Sequence, residues 1–157
     1  DMDPQDIADR RSRRLIATYY ICCSDNSPNV FTFSDPAEAA YLGLHTMARG
    51  YDGMLRWAVQ SWVEYPLVDS RFRTWGAGDT YSIYPGARSS IRFERLVEGL
   101  QDAEKIRLLR EEFTHDGNTA SLQKLEDALA MFYTPRRTAT WNDELNRAKQ
   151  TLDELSR

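Results

Sequence analysis

Aromatic side chains gather where short apolar runs give way to turns. Tyr20, Trp57, Trp62, Tyr81 and Tyr84 stand at or just past the ends of such runs. Flat indole and phenol faces with polar tips are surfaces on which a sugar ring stacks while its hydroxyls are held in place. Taken singly, each of these residues also fits core or loop packing; their recurrence at successive run ends is what favours a ligand wall. Asp79, between Gly78 and an apolar run, can accept hydrogen bonds from ligand hydroxyls or tie down its own turn. Arg88 and Arg92 flank the start of a long amphipathic stretch. A cation there opposes the helix dipole and needs a carboxylate or a ligand, with Asp79 or Glu94 as the intramolecular partner.

Other chemistries fall away on placement. Asp143-Glu144 and Asp153-Glu154 are adjacent acid pairs, but both fall on the polar side of a C-terminal helical pattern. An open helix surface offers no burial to raise the pKa of a general acid. His45 sits within a helical pattern and His115 in an expected turn, too far apart in sequence for a metal-ligand motif, and no serine or cysteine triad pattern accompanies them. The two cysteines, Cys22 and Cys23, are neighbours on an expected strand. They would face opposite sides and read as two buried thiols rather than ligands of one metal or a disulfide framework. No metal site, cofactor site or catalytic residue is assigned.

The elements that must position these groups alternate between strand and helix. Residues 4 to 13 read as a short helix, and Leu15 to Cys22 as a buried strand rich in aromatic and β-branched residues. Ser24 to Asn29 is dense in turn formers. Asp35, Pro36 and Glu38 form the signature of a capped helix start, and Gly50 supplies its left-handed stop. Between them Ala37, Ala40, Tyr41, Leu44, Met47 and Ala48 repeat at the helical period. A second strand follows Gly50, then an aromatic-rich irregular stretch from Gln60 to Ala77 containing Trp62, Tyr65, Pro66, Phe72 and Trp75. A long loop of that composition is functional rather than disordered. Asp79 to Tyr84 reads as a third strand, and Ser89 or Ser90 caps a helix whose inward face runs Phe93, Leu96, Val97, Leu100, Ala103, Ile106 and Leu109. Asn118 or Thr119 caps the next helix and, after Pro135, Thr140 caps the last. Their stripes, Leu122-Leu125-Leu129-Phe132 and Trp141-Leu145-Ala148-Leu152-Leu155, are expected to pack as an antiparallel hairpin.

Strand, functional tip and helix is the repeat of α/β barrels, whose chemistry sits at the C-terminal ends of the strands. The chain has 157 residues, too few for a whole eight-fold barrel of about 250. The expected fold class is α/β, the C-terminal part of a (β/α)8 TIM barrel with about three βα units (1–113), followed by a helical hairpin (114–157). A net charge of −4 argues against a nucleic-acid surface, and the basic run Arg10 to Arg14 fits a solvated helix end. No apolar run reaches the length of a membrane span, and the acidic N-terminus is unlike a signal peptide.

Five ordered motifs carry a family resemblance: Tyr19-Tyr20-x-Cys22; Pro36-Ala-Glu-Ala-x-Tyr41-Leu-Gly43; Gly50-Tyr-Asp-Gly-x-Leu-Arg-Trp-Ala58; Gly78-Asp-Thr-Tyr-x-x-Tyr-Pro-Gly86; and Arg88-Ser-Ser-Ile-Arg-Phe-Glu-Arg-Leu-x-Glu-Gly99. Over roughly residues 10 to 157 the chain resembles the C-terminal part of the catalytic domain of glycoside hydrolase family 123. The resemblance implies a (β/α)8 barrel acting on terminal β-linked N-acetylgalactosamine. It implies a retaining mechanism in which the sugar's acetamido oxygen is the nucleophile and an adjacent Asp-Glu pair stabilises the oxazolinium and donates the proton. That strand-borne pair lies upstream of the motifs present here, so the resemblance gives this chain pocket walls and no catalytic acid. Trp57, Trp62, Asp79 and Tyr84 would line the sugar pocket, with Tyr20 and Arg92 beside them.

The expected partner is therefore an N-acetylhexosamine-containing glycan, with no nucleic acid, membrane or cofactor involved. The parent would be secreted or periplasmic, and open sheet edges would favour homo-oligomers. Two other classes remain: a non-catalytic carbohydrate-binding module with the same aromatic walls, and a structural α/β domain.

Overall fold

Helix α2 (Pro36–Arg49) organises the molecule because both of its sides are covered. The computed structural model describes residues 2–25, 27–71, 75–134 and 141–157. The start of α2 is fixed by a capping box, in which the Asp35 carboxylate accepts from the Ala37 N–H at 2.9 Å and Glu38 Oε1 accepts from the Asp35 N–H at 3.2 Å. Gly50 ends the helix at φ +75°. Nine consecutive residues, Ala37 to His45, are buried, so the helix is apolar all round rather than along one stripe. The sequence stripe identified one side and missed Ala39 and Leu42, which face the strands.

On that side lie helix α1 (Pro4–Ser12) and a two-stranded parallel sheet of β1 (Thr18–Tyr20) and β2 (Gly53–Leu55), in register Thr18 to Gly53 and Tyr20 to Leu55. Ile7, Ala17, Tyr19, Ile21, Val30 and Tyr51 form a core with Ala39 and Leu42. Strand β1 is shorter than the expected Leu15 to Cys22. Arg14 adopts φ +58°, and the Arg10 guanidinium binds the Ile16 carbonyl at 2.7 and 3.0 Å, holding residues 14 to 16 out of the ladder. The cysteines depart from expectation too. They lie past the end of β1, Cys22 half-buried against the Ser24 hydroxyl at 2.9 Å and Cys23 exposed, because the chain has already turned away from the core.

On the other side of α2 pack α3 (Ile91–His115), α4 (Thr119–Leu129), a 3-10 turn (Ala130–Phe132) and α5 (Trp141–Leu155). Tyr41 and Leu44 of α2 share one core with Ile106, Leu109 and Phe113, and with buried stripes of α4 and α5. Helices α4 and α5 pack on each other, with Asn118 as the cap of α4. The proposed break at Pro135 and cap at Thr140 lie outside the described residues, as does Phe72. Ser90 caps α3, its hydroxyl accepting from the Phe93 N–H, and His115 is the last helical residue instead of lying in a turn. Only the C-terminal half of the predicted inward face of α3 is fully buried; Leu100 is 59% exposed. Near the N-terminal half, α2 and α3 meet backbone to backbone. A Cβ on Gly43 would lie 2.0 Å from the Gly99 carbonyl oxygen, and one on Gly99 2.5 Å from that of Ala40.

The third strand does not form. Residues 77–80 are a turn, and Tyr81 and Tyr84 make single antiparallel bridges, with Gln60 and Arg88 respectively. Tyr81, Ser82 and Thr80 are buried there among irregular segments, where β-propensity expresses itself as packing without a ladder. The architecture is a helix-rich α/β assembly with a small parallel sheet. Among the described residues no helix is long and apolar enough to cross a membrane.

Candidate functional site

Parallel strands β1 and β2 point their C-terminal ends at the same side of the molecule, and the unusual side chains collect there. Tyr19 and Met54 turn toward α2, while the next residues, Tyr20 and Leu55, pair in register on the opposite face and stay open, Tyr20 at 48% and Leu55 at 56% exposure. Immediately after β2 comes Arg56, whose side chain is only 4% exposed. Burying a guanidinium without partners is prohibitive. Its Nη2 donates to Asp79 Oδ1, its Nη1 donates to Asn29 Oδ1 at 2.8 Å, and its charge lies 5.6 Å from the Phe31 ring centroid.

Both partners are themselves fixed. The Asn29 side-chain amide donates to the carbonyls of Cys22 and Asp25 at 2.9 and 2.7 Å, and its backbone N–H donates to Glu38 Oε2 at 2.7 Å. Glu38, expected only as a capping residue, thereby ties the loop after β1 to the start of α2. Asp79 is fully buried, and its Oδ2 has no hydrogen-bond partner among the described residues. The turn that carries it is strained. Gly78 adopts φ +79° with its Cα against Thr32, where a Cβ would come within 2.1 Å of the hydroxyl oxygen, and Thr80 adopts φ +59°. Positive φ at a β-branched residue is rare, and such strain persists where the surroundings over-determine it. Here Thr80 Oγ1 donates to the Ser61 carbonyl at 2.8 Å and the Thr32 N–H donates to the Gly78 carbonyl at 3.1 Å.

Next to this buried pair stands an aromatic corner. Trp57, 44% exposed, meets Trp75 edge to face, with ring centroids 4.8 Å apart and planes at 73°. Trp62 donates its indole N–H to the Ile83 carbonyl at 2.9 Å, leaving the ring partly exposed. Tyr81 and Tyr84 lie 5.5 Å apart, and burial pushes the Tyr81 hydroxyl up from its ordinary pKa. Arg92 is buried beneath them, donating to the Tyr81 carbonyl at 2.9 Å and reaching the Tyr84 hydroxyl at 3.4 Å. Among the described residues neither Arg88 nor Arg92 forms an ion pair with Asp79 or Glu94, the partners offered for them: Arg56 takes the Asp79 carboxylate, and Glu94 accepts from the Ser89 hydroxyl.

Of the six sequence-selected residues, the structure gathers Tyr84 and Arg92 in one cluster and anchors Trp62 to Ile83 of the same segment. Asp79 joins a second cluster, with Trp57 next to it along the chain from Arg56, and Tyr20 occupies the open sheet face. Arg56, Asn29 and Trp75 were not singled out in the sequence. A charge between Leu55 and Trp57, at the end of an apolar run, was the available signal for Arg56. The Asp153-Glu154 pair of α5 is solvated: Asp153 bonds Lys105 and Glu154 bonds Lys124, each at 2.7 Å. A cavity of about 490 Å³ lies at the opposite, N-terminal end of β2, lined by Gly53, Met54, Leu96 and Leu100. In α/β folds ligands bind at the carboxyl ends of strands, which favours the aromatic end.

Comparison with known proteins bears on the family of the chain. The family model of the glycoside hydrolase 123 catalytic domain matches residues 1–109. A comparison with curated proteins finds no match. Among solved structures, the chain is similar to a family 123 glycoside hydrolase from Clostridium perfringens whose structure was analysed for the details of glycolipid glycan hydrolysis. The two share 27% identity at a TM-score of 0.82, and the match covers 97% of this chain and 29% of that one. The likeness therefore extends into α4 and α5, while the chain spans less than a third of that neighbour.

Proposed function

This chain belongs to glycoside hydrolase family 123, and from that premise we propose that it forms the sugar-pocket walls of a β-N-acetylhexosaminidase-like enzyme. The parent reaction would be retaining and substrate-assisted. The acetamido oxygen of a terminal β-linked N-acetylhexosamine attacks its own anomeric carbon, a general acid protonates the departing glycosidic oxygen, and water then opens the oxazolinium. The acid and the oxazolinium stabiliser would come from an Asp-Glu pair outside these 157 residues, on other strands of a (β/α)8 barrel to which β1 and β2 contribute. A glycan carried on a lipid, as in the Clostridium perfringens neighbour, fits the same reading.

The observation that carries the proposal is the aromatic and arginine cluster at the C-terminal ends of two parallel strands in a chain of this family. Trp57 and Trp75 would offer the flat apolar surface, and Tyr84, Trp62 and Tyr20 are the candidate contacts to sugar hydroxyls and rings.

The test is an aryl β-N-acetylgalactosaminide assay on the parent polypeptide and on the 157-residue chain. The parent should release the aryl group with retention at the anomeric carbon, and the chain alone should give no turnover. Hydrolysis by the isolated chain would overturn the division of labour. Sugar-dependent tryptophan quenching with no hydrolysis by the parent would leave a carbohydrate-binding module instead.

A further inference from the structure

We propose that the buried Arg56–Asp79 pair is a positioning device for the Trp57–Trp75 corner, and that Asp79 acts through Arg56 instead of touching a ligand. The sugar-contact half of this inference rests on the function proposed above; the positioning half does not.

The pair joins two segments that the strands do not join. Arg56 immediately precedes Trp57, and Asp79 sits four residues after Trp75 across the Gly76-Ala77-Gly78 turn. Among the described residues, the only regular ladder nearby ends at Leu55. Two indoles on separate irregular segments hold a fixed edge-to-face angle only if something sets the distance between those segments; the Thr80–Ser61 hydrogen bond and the Gln60–Tyr81 bridge join them further along the chain, and the ion pair is the fully buried link beside the indoles themselves. The fork geometry adds a third segment. One terminal nitrogen goes to Asp79 and the other to Asn29, which gathers the loop after β1. A planar guanidinium serves two acceptors in fixed directions, which a lysine ammonium on a flexible stem does not.

Stability alone does not account for the arrangement. A buried ion pair is often matched or bettered by apolar residues of similar volume, because desolvation offsets the Coulombic gain. Asp79 Oδ2 also lacks a hydrogen-bond partner among the described residues, a cost that a purely structural filler would not carry. A carboxylate with no exposed surface and one oxygen already committed to Arg56 is closed to a sugar hydroxyl in this arrangement.

The experiment compares the parent protein with three variants: Arg56→Lys, the double change Arg56→Met with Asp79→Leu, and Trp75→Phe as the reference for loss of the indole pair. Exciton circular dichroism reads the Trp57–Trp75 geometry, thermal melting and far-ultraviolet dichroism read the fold, and steady-state kinetics on the aryl glycoside separate KM from kcat. The double variant should melt cooperatively with unchanged helix content. It should lose most of the exciton signal that Trp75→Phe removes and raise KM by about tenfold, with kcat changing by less than about threefold. Arg56→Lys should lose part of that signal, and it decides the matter if the double variant does not fold. A folded variant with the full exciton signal, or a wild-type protein with no such signal, overturns the positioning role. A wild type with the signal but no affinity for the glycoside defeats the glycosidase proposal while the positioning role survives on the dichroism. A fall in kcat at unchanged KM overturns the pocket-wall assignment of the corner.

Discussion

His45 is a buried imidazole whose protonation state follows from its neighbours. Its Nδ1 lies 2.8 Å from the Phe132 carbonyl, which can only accept, so that nitrogen carries the proton. Tyr19 meets the ring edge-on at 5.0 Å, and burial lowers the imidazole pKa from its ordinary value. With the folded pKa below the unfolded one, the unfolded chain binds the extra proton first as pH falls. The contribution to stability is then complete above about pH 6.5 and is lost progressively below it. His45→Gln is expected to be less stable at neutral pH yet to show a flatter melting-temperature profile on acidification through that window. An unchanged slope in the variant would remove His45 as its source. At this scale the sequence offers residue types and local positions: Trp57 and Tyr84 stand out as aromatic residues at run ends, Arg92 as a cation at a helix start. The Arg56–Asp79 pair does not, because a contact between residues 23 positions apart leaves no local pattern.

Elements were most legible where their boundaries are made locally. The limits of α2 follow from Asp35, Glu38 and Gly50, side chains that bond within a turn of themselves, and they appear where expected. The segment from Asp79 to Tyr84 failed for the complementary reason: its alternating aromatic residues suit a strand, yet a strand exists only if a partner ladder does, and Tyr81 found a single bridge to Gln60. The crossing of α2 and α3 lay between these cases. Gly43 and Gly99 were visible as motif glycines, but not as each other's contact. Because the Gly99 carbonyl oxygen occupies the place of a Gly43 Cβ, Gly43→Ala must push two helix backbones apart. The expected cost is about 3 kcal/mol, at the upper end of overpacking penalties. Gly53→Ala serves as the control, since a Cβ there would meet only a Thr18 methyl at 3.8 Å; it should change stability by less than about 0.5 kcal/mol. Equal losses in the two variants, measured by denaturant titration, would show that the helix crossing tolerates separation.

For the whole molecule, the decisive imbalance is between a well-covered helical side and an open sheet. Parallel strands are ordinarily buried on both faces, and a two-stranded ribbon is marginal without further cover. Here α2 covers one face, while Tyr20 and Leu55 stand exposed on the other, and among the described residues each strand pairs along one edge alone. Unpaired N–H and C=O groups flanked by apolar side chains are a template for another strand. In a barrel-forming parent that template would be filled by neighbouring strands. In the 157-residue chain, a second copy is the available partner, so sedimentation velocity should show association that grows with concentration. Placing lysines on the open face, Tyr20→Lys with Leu55→Lys, should disfavour it through charge repulsion while leaving the α2 core untouched. The double variant is expected to sediment as a monomer with an unchanged far-ultraviolet spectrum. If the wild-type chain is already monomeric at high concentration, the open face tolerates solvent, and neither association nor barrel closure is needed to explain it.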